Sequence, residues 1–189
     1  MPREHTVTTK RSGHRVAAGC VVALVAAGLW PWSAGAAEYV DSPYRDRSAF
    51  SLILGPGASY TELINDGDGE AVQGLDALLD VGASLTVGHD GDEVFVVIRG
   101  SLREPDLSLV GGFRSFFGDE SWQSFVDLGA VVRPFSGPWV GPRVAFGLRH
   151  TFSERFAVYG GLGLTLGFGS GLRADAEGFT GLQWIFPVG

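Results

Sequence analysis

The sequence predicts an all-β fold, an eight-stranded antiparallel up-and-down barrel with its apolar face turned outward. Three observations predict it. Residues 155–169 read RFAVYGGLGLTLGFG, in which Phe156, Val158, Gly160, Leu162, Leu164, Leu166 and Phe168 alternate with Arg155, Ala157, Tyr159, Gly161, Gly163, Thr165 and Gly167. A period of two puts the two sets on opposite faces of one strand. The apolar face begins and ends in Phe, as in a strand that meets two membrane–water interfaces. Seven further segments alternate likewise, and their charges fall on the face opposite the apolar one. No later apolar run is long enough for a membrane helix. Insertion would therefore require strands in a closed barrel, because only closure pairs every backbone group in lipid.

Taken in order, residues 1–36 read as a cleaved signal peptide. Arg3, Lys10, Arg11 and Arg15 form a basic region, Val16–Trp30 an apolar run, and Ser33-Ala34-Gly35-Ala36-Ala37 a small-residue cleavage region, with cleavage after Ala36 or Ala37. The competing reading, a retained helix, is opposed by the short run and by Pro31. Cys20 lies near the start of the apolar run, whereas a lipoprotein cysteine follows it, so Cys20 reads as an incidental apolar residue. It is the only cysteine, which leaves the mature chain no disulfide, thiolate metal site or cysteine nucleophile. The absence of a twin-arginine pair favours the Sec route. The mature chain keeps 10 Arg, no Lys and 20 acidic residues, which argues against nucleic acid as a partner.

Residues 37–47 are expected to form a short periplasmic segment, and residues 48–189 the barrel. The strands are expected at about Ser48–Gly55, Ala77–Gly88, Glu93–Leu102, Leu107–Phe117, Trp122–Pro134, Val140–Phe152, Arg155–Gly169 and Phe179–Phe186. The connections alternate between two ends. His89–Asp92, Gly118–Ser121 and Ser153-Glu154 are short, as periplasmic turns are. The other end carries Arg103–Asp106, Phe135–Trp139 and the two longest, Pro56–Asp76 and Ser170–Gly178, as outer loops. On this topology Phe50, Phe117, Trp122, Phe152, Phe156, Trp184 and Phe186 form an outward aromatic girdle at the periplasmic rim. The outer rim is poorer, with Phe168 its clearest member. Gly82, Gly112, Gly129, Gly147, Gly161 and Gly163 fall on the inward parity, where a crowded interior needs small residues beside large ones.

The inward parity also collects Asp80, Arg99, Arg114, Asp127, Arg133, Arg143 and Arg149. An Arg at the midplane of the lipid face would cost about 2–4 kcal/mol, so this sorting is what a bilayer demands. Hairpin geometry brings Asp127 close to Arg114 and Arg149, Tyr159 beside Arg149, and Asp80 near Arg99. Paired charges filling a narrow barrel is one reading, since eight strands leave room for little more than side chains. The other is a narrow anion-favouring passage or small-ligand carrier, because inward Arg outnumber inward Asp five to two.

Other motifs carry less. His150, Ser153 and Glu154 have the residue types of a hydrolase site, but they fall at the periplasmic rim with His150 outward, and read as a turn cluster. In Asn65-Asp66-Gly67-Asp68-Gly69-Glu70, counting from Asp66 puts Ala71 sixth and Ala77 twelfth, where a calcium loop needs Gly and Glu. An acidic outer loop is expected there. No metal site or cofactor is expected. Gly160-Gly161-Leu162-Gly163 lies mid-strand, with no helix N-terminus to receive a phosphate.

The leader, the dyad strands and the closing Phe179-Thr180-Gly181-Leu182-Gln183-Trp184-Ile185-Phe186 resemble the small OmpA/OmpX-like family of eight-stranded outer-membrane barrels. The chain departs from it in ending Phe186-Pro187-Val188-Gly189 rather than on an aromatic residue. The resemblance implies a monomer in the outer membrane, with lipid, lipopolysaccharide and the assembly machinery as partners. The expected role is non-enzymatic, structural or surface-interacting, with loop 56–76 as the exposed ligand-facing segment. A third reading is a soluble secreted barrel or sandwich with the same parity inverted.

Overall fold

The computed structural model describes residues 48–65, 74–87, 91–102, 106–118, 121–135, 137–169 and 171–188. The predicted leader, Cys20 and the 37–47 segment lie outside them. The described chain forms eight strands: β1 Ala49–Asn65, β2 Gly74–Thr86, β3 Glu93–Ser101, β4 Leu107–Gly118, β5 Trp122–Arg133, β6 Trp139–Ser153, β7 Phe156–Phe168 and β8 Leu172–Pro187. Each pairs antiparallel with the next, and β8 pairs with β1, closing the barrel.

Register fixes the shape. Directly paired residues run from Phe50 through Leu85, Val94, Phe113, Leu128, Val144, Leu164 and Ala176 to Tyr60, ten residues above the start on β1. Eight strands with that offset tilt by about 40° to the barrel axis. Each residue then climbs about 2.5 Å, and the outward stretch from Phe50 to Tyr60 rises about 25 Å, the height of a lipid-facing apolar band.

The faces sort as the alternation predicts. Leu79, Val96, Ile98, Leu128, Phe146, Leu162 and Leu182 are exposed, whereas Phe125, Val110, Asp127 and Gln183 are buried within the barrel. A soluble barrel has the reverse arrangement, so that alternative is overturned. The predicted girdle forms. Phe152, Phe156, Trp184, Phe186 and Phe50 make a chain of neighbouring rings with centroids 5.0–6.2 Å apart, and Trp122 stacks on His150 at 4.4 Å.

Glycine makes room for aromatic rings inside. Tyr159 on β7 faces Gly181 on β8, and a Cβ at Gly181 would come within 2.3 Å of the Tyr159 hydroxyl. Phe125 lies likewise over Gly147, where a Cβ would approach the ring to 2.5 Å.

Two predicted loops are mostly strand. Pro56–Asn65 extends β1 and Gly74–Asp76 begins β2, and the rest of the expected loop, 66–73, lies outside the described residues. Pro56 is accommodated because the β1–β8 ladder skips Gly55 and Pro56, resuming at Gly57–Phe179; proline has no N–H to give there. In the predicted loop 170–178, Leu172 onward belongs to β8. Arg173, Asp175 and Glu177 point inward between Ala174, Ala176 and Gly178, whose small size weakens the apolar signal. The expected contrast between long outer loops and short turns therefore shrinks.

Candidate functional site

The barrel interior is the one place where polar side chains converge among the described residues. Its middle holds a continuous ladder of six alternating charges. Asp80 on β2 accepts two hydrogen bonds from Arg99 on β3, both at 2.8 Å. Arg99 reaches on through Nη1 to Glu177 on β8. Glu177 also accepts from Arg143 on β6, at 2.7 Å from Nε. Arg143 then contacts Asp127 on β5 at 3.4 Å, and Asp127 takes a two-pronged clamp from Arg114 on β4 at 2.7 and 2.9 Å. All six residues are buried. Arg114 is further enclosed by the rings of Phe125 at 4.4 Å, Tyr159 at 5.0 Å and Phe95 at 5.2 Å, contacts that favour a guanidinium.

Below the ladder, toward the chain ends, Arg149 bonds Glu93 at 3.0 Å. Gln183 donates to the same carboxylate at 2.8 Å and contacts Ser84 at 3.2 Å. Above it, at the far mouth, Arg133 Nε lies 2.9 Å from Asp106. Arg173 there holds both oxygens of Asp175 at 2.8 and 2.9 Å, and Thr61 at 2.8 Å.

The structure brings together Asp80 with Arg99 and Asp127 with Arg114, as the hairpin geometry requires, and sets Arg149 directly opposite Tyr159. One expected neighbour is corrected. Asp127 pairs with Arg143, not Arg149, because the β5–β6 register puts Gln123 opposite Arg149 and Ala145 opposite Asp127. The predicted arginine excess is corrected too. Among the described residues six inward arginines, Arg99, Arg114, Arg133, Arg143, Arg149 and Arg173, are ion-paired with Asp80, Glu93, Asp106, Asp127, Asp175 and Glu177.

Sequence reasoning missed Glu177, the residue that joins the two halves of the ladder, and with it Asp175 and Arg173, all assigned to a loop. Glu93 and Asp106 were missed at strand ends. Period-two spacing of 173, 175 and 177 was the available signal.

Little space remains. A cavity of about 40 Å³ lies at the far mouth and another of about 20 Å³ beneath it, with Arg99 lining both. That is room for a few waters. His150, Ser153 and Glu154 lie outside this interior. His150 Nδ1 contacts the Ser121 carbonyl at 2.9 Å, and Ser153 Oγ accepts from the Arg155 amide at 3.4 Å. Most of the acidic stretch 65–70 lies outside the described residues.

An apolar outer wall about 25 Å tall around a charged, ion-paired interior defines a transmembrane β-barrel. A solved structure matched at a TM-score of 0.50 agrees with that fold. The chain is similar to Neisserial surface protein A, at 12% identity over 72% of this chain and 97% of that one, with a TM-score of 0.50. It also matches Ail of Yersinia pestis, solved with the heparin analogue sucrose octasulfate, at 12% identity over 74% and 99% of the chains and a TM-score of 0.46. A de novo designed transmembrane β-barrel matches at 13% identity over 72% and 95%, with a TM-score of 0.45. No protein-family model matches the chain, and the curated proteins offer no relative. The chain thus has the fold of the small eight-stranded outer-membrane β-barrels.

Proposed function

We propose that this chain is a resident outer-membrane barrel, exported by the Sec route, with a structural or surface-interaction role and a sealed interior. The observation that carries this reading is the ladder Asp80–Arg99–Glu177–Arg143–Asp127–Arg114, which crosses the lumen with every member paired. Buried charges in a narrow barrel are tolerable only when partnered, and partnered ones leave no free string of sites for an ion to follow. Balanced charge along the ladder also removes the basis for an anion-selective passage through the middle of the barrel. The hydrolase alternative loses support because His150 and Ser153 are engaged with rim backbone.

The proposed partners are lipid and lipopolysaccharide on the wall and the assembly machinery during insertion. A surface ligand would meet the far mouth rather than the whole of 56–76. Planar-bilayer recording of the refolded mature chain tests the seal. The expected record holds no unit conductance steps. Discrete anion-selective steps would overturn it in favour of the narrow-pore reading.

A further inference from the structure

We propose that the far mouth of the barrel is a binding site for a small tetrahedral oxyanion, of the phosphate or sulfate type, held by Arg133 and Arg173. In the ladder below, Arg99 and Arg143 commit their terminal nitrogens to carboxylates. The two mouth arginines differ. Arg133 meets Asp106 through Nε alone, and neither of its terminal nitrogens has a partner among the described residues. Arg173 spends Nε on Asp175 and Nη2 on Thr61, which leaves Nη1. Their side chains are 15% and 20% exposed, the most accessible of the ion-paired arginines.

A single ring sets their spacing. Trp139 is paired with Arg133 across β5–β6 and lies over Gly167 of β7, which in turn faces Arg173 of β8. Arg133 sits 5.9 Å and Arg173 5.1 Å from the Trp139 ring centre. The two guanidinium carbons are therefore at most about 11 Å apart, within the span of one diphosphate and its hydrogen bonds on both sides. Arg173 donates to both oxygens of Asp175 and to Thr61, so its remaining N–H groups are ordered before any ligand arrives, whereas Arg133 and Asp106 are in ionic contact without an aligned hydrogen bond.

The carboxylates of the mouth decide the affinity. Asp175 accepts hydrogen bonds from Arg173, Asp106 is in ionic contact with Arg133, and Glu177 is held from below by Arg99 and Arg143. Asp76 also lines the cavity, and its negative charge, like theirs, opposes an anion. Removing its charge must tighten binding, a sign that a purely structural role for these residues does not give.

The test is a titration of the refolded mature chain in maltoside micelles, which contain no phosphate, with inorganic phosphate or pyrophosphate at constant ionic strength. The readout is the ¹⁵N–¹H signals of the Trp139 indole and the arginine Nε groups. We expect saturable shifts confined to Trp139, Arg133 and Arg173, with pyrophosphate the tighter ligand. Arg133→Gln or Arg173→Gln should weaken binding by about tenfold or more, the loss of a charge-assisted contact. Asp76→Asn should tighten it by about threefold. Unboiled gel mobility verifies that each variant is folded, and the native chain's own titration decides if one is not. Shifts that are linear and equal to those from chloride, or an Asp76→Asn chain that binds no more tightly, would overturn the proposal.

Discussion

Glu177 holds two guanidiniums at once, and its loss would leave Arg99 and Arg143 buried without their common carboxylate. Breaking a buried ion pair from one side costs about 3–5 kcal/mol, so Glu177→Ala should lower the unfolding free energy in urea by that order, with the barrel still forming. A second contrast isolates packing. Gly181→Ala drives a methyl into the Tyr159 hydroxyl, at 2.3 Å, whereas the nearest atom to a Cβ at outward-facing Gly178 is a Leu162 methyl at 3.6 Å. Overpacking costs about 1–3 kcal/mol. Gly181→Ala should therefore destabilise by that amount in the same urea titration, and Gly178→Ala should change little.

Each strand has a wet or charged parity and a lipid parity, and the penalty for crossing them depends on depth. Leu128, at the middle of β5, is 60% exposed, and Leu107 opens β4 at the far rim. Leu128→Arg should cost about 2–4 kcal/mol and Leu107→Arg about 0–1, measured as refolding stability in vesicles. Equal costs would contradict the placement of the band. Parity was legible in the sequence wherever the outward residues are large, as in β3, β5 and β7. It failed at the start of β8, where Ala174, Ala176 and Gly178 are too small to mark a lipid face, and at the end of β1, where Pro56, Gly57 and Ala58 read as turn-forming residues. The ladder was legible in halves for the same reason. Asp80–Arg99 and Arg114–Asp127 lie on adjacent strands joined by short turns, so local spacing reveals them. The contact of Arg99 with Glu177 crosses the lumen between strands distant in sequence, and only closure of the barrel creates it.

At the scale of the molecule, strand tilt, band height and interior filling are one consequence of eight strands closing with an offset of ten residues. That geometry leaves the outer wall to lipid and the lumen to paired charges, with a small cavity at the far mouth. The lipid-facing wall and the sealed interior both require the closed barrel to be the state that occupies the membrane. Gel mobility of the membrane-fractionated mature chain, boiled against unboiled, tests this most directly. A protein retained by alkaline-washed outer membranes that migrates faster unboiled than boiled is the predicted result; one that washes off and migrates identically in both lanes would contradict it.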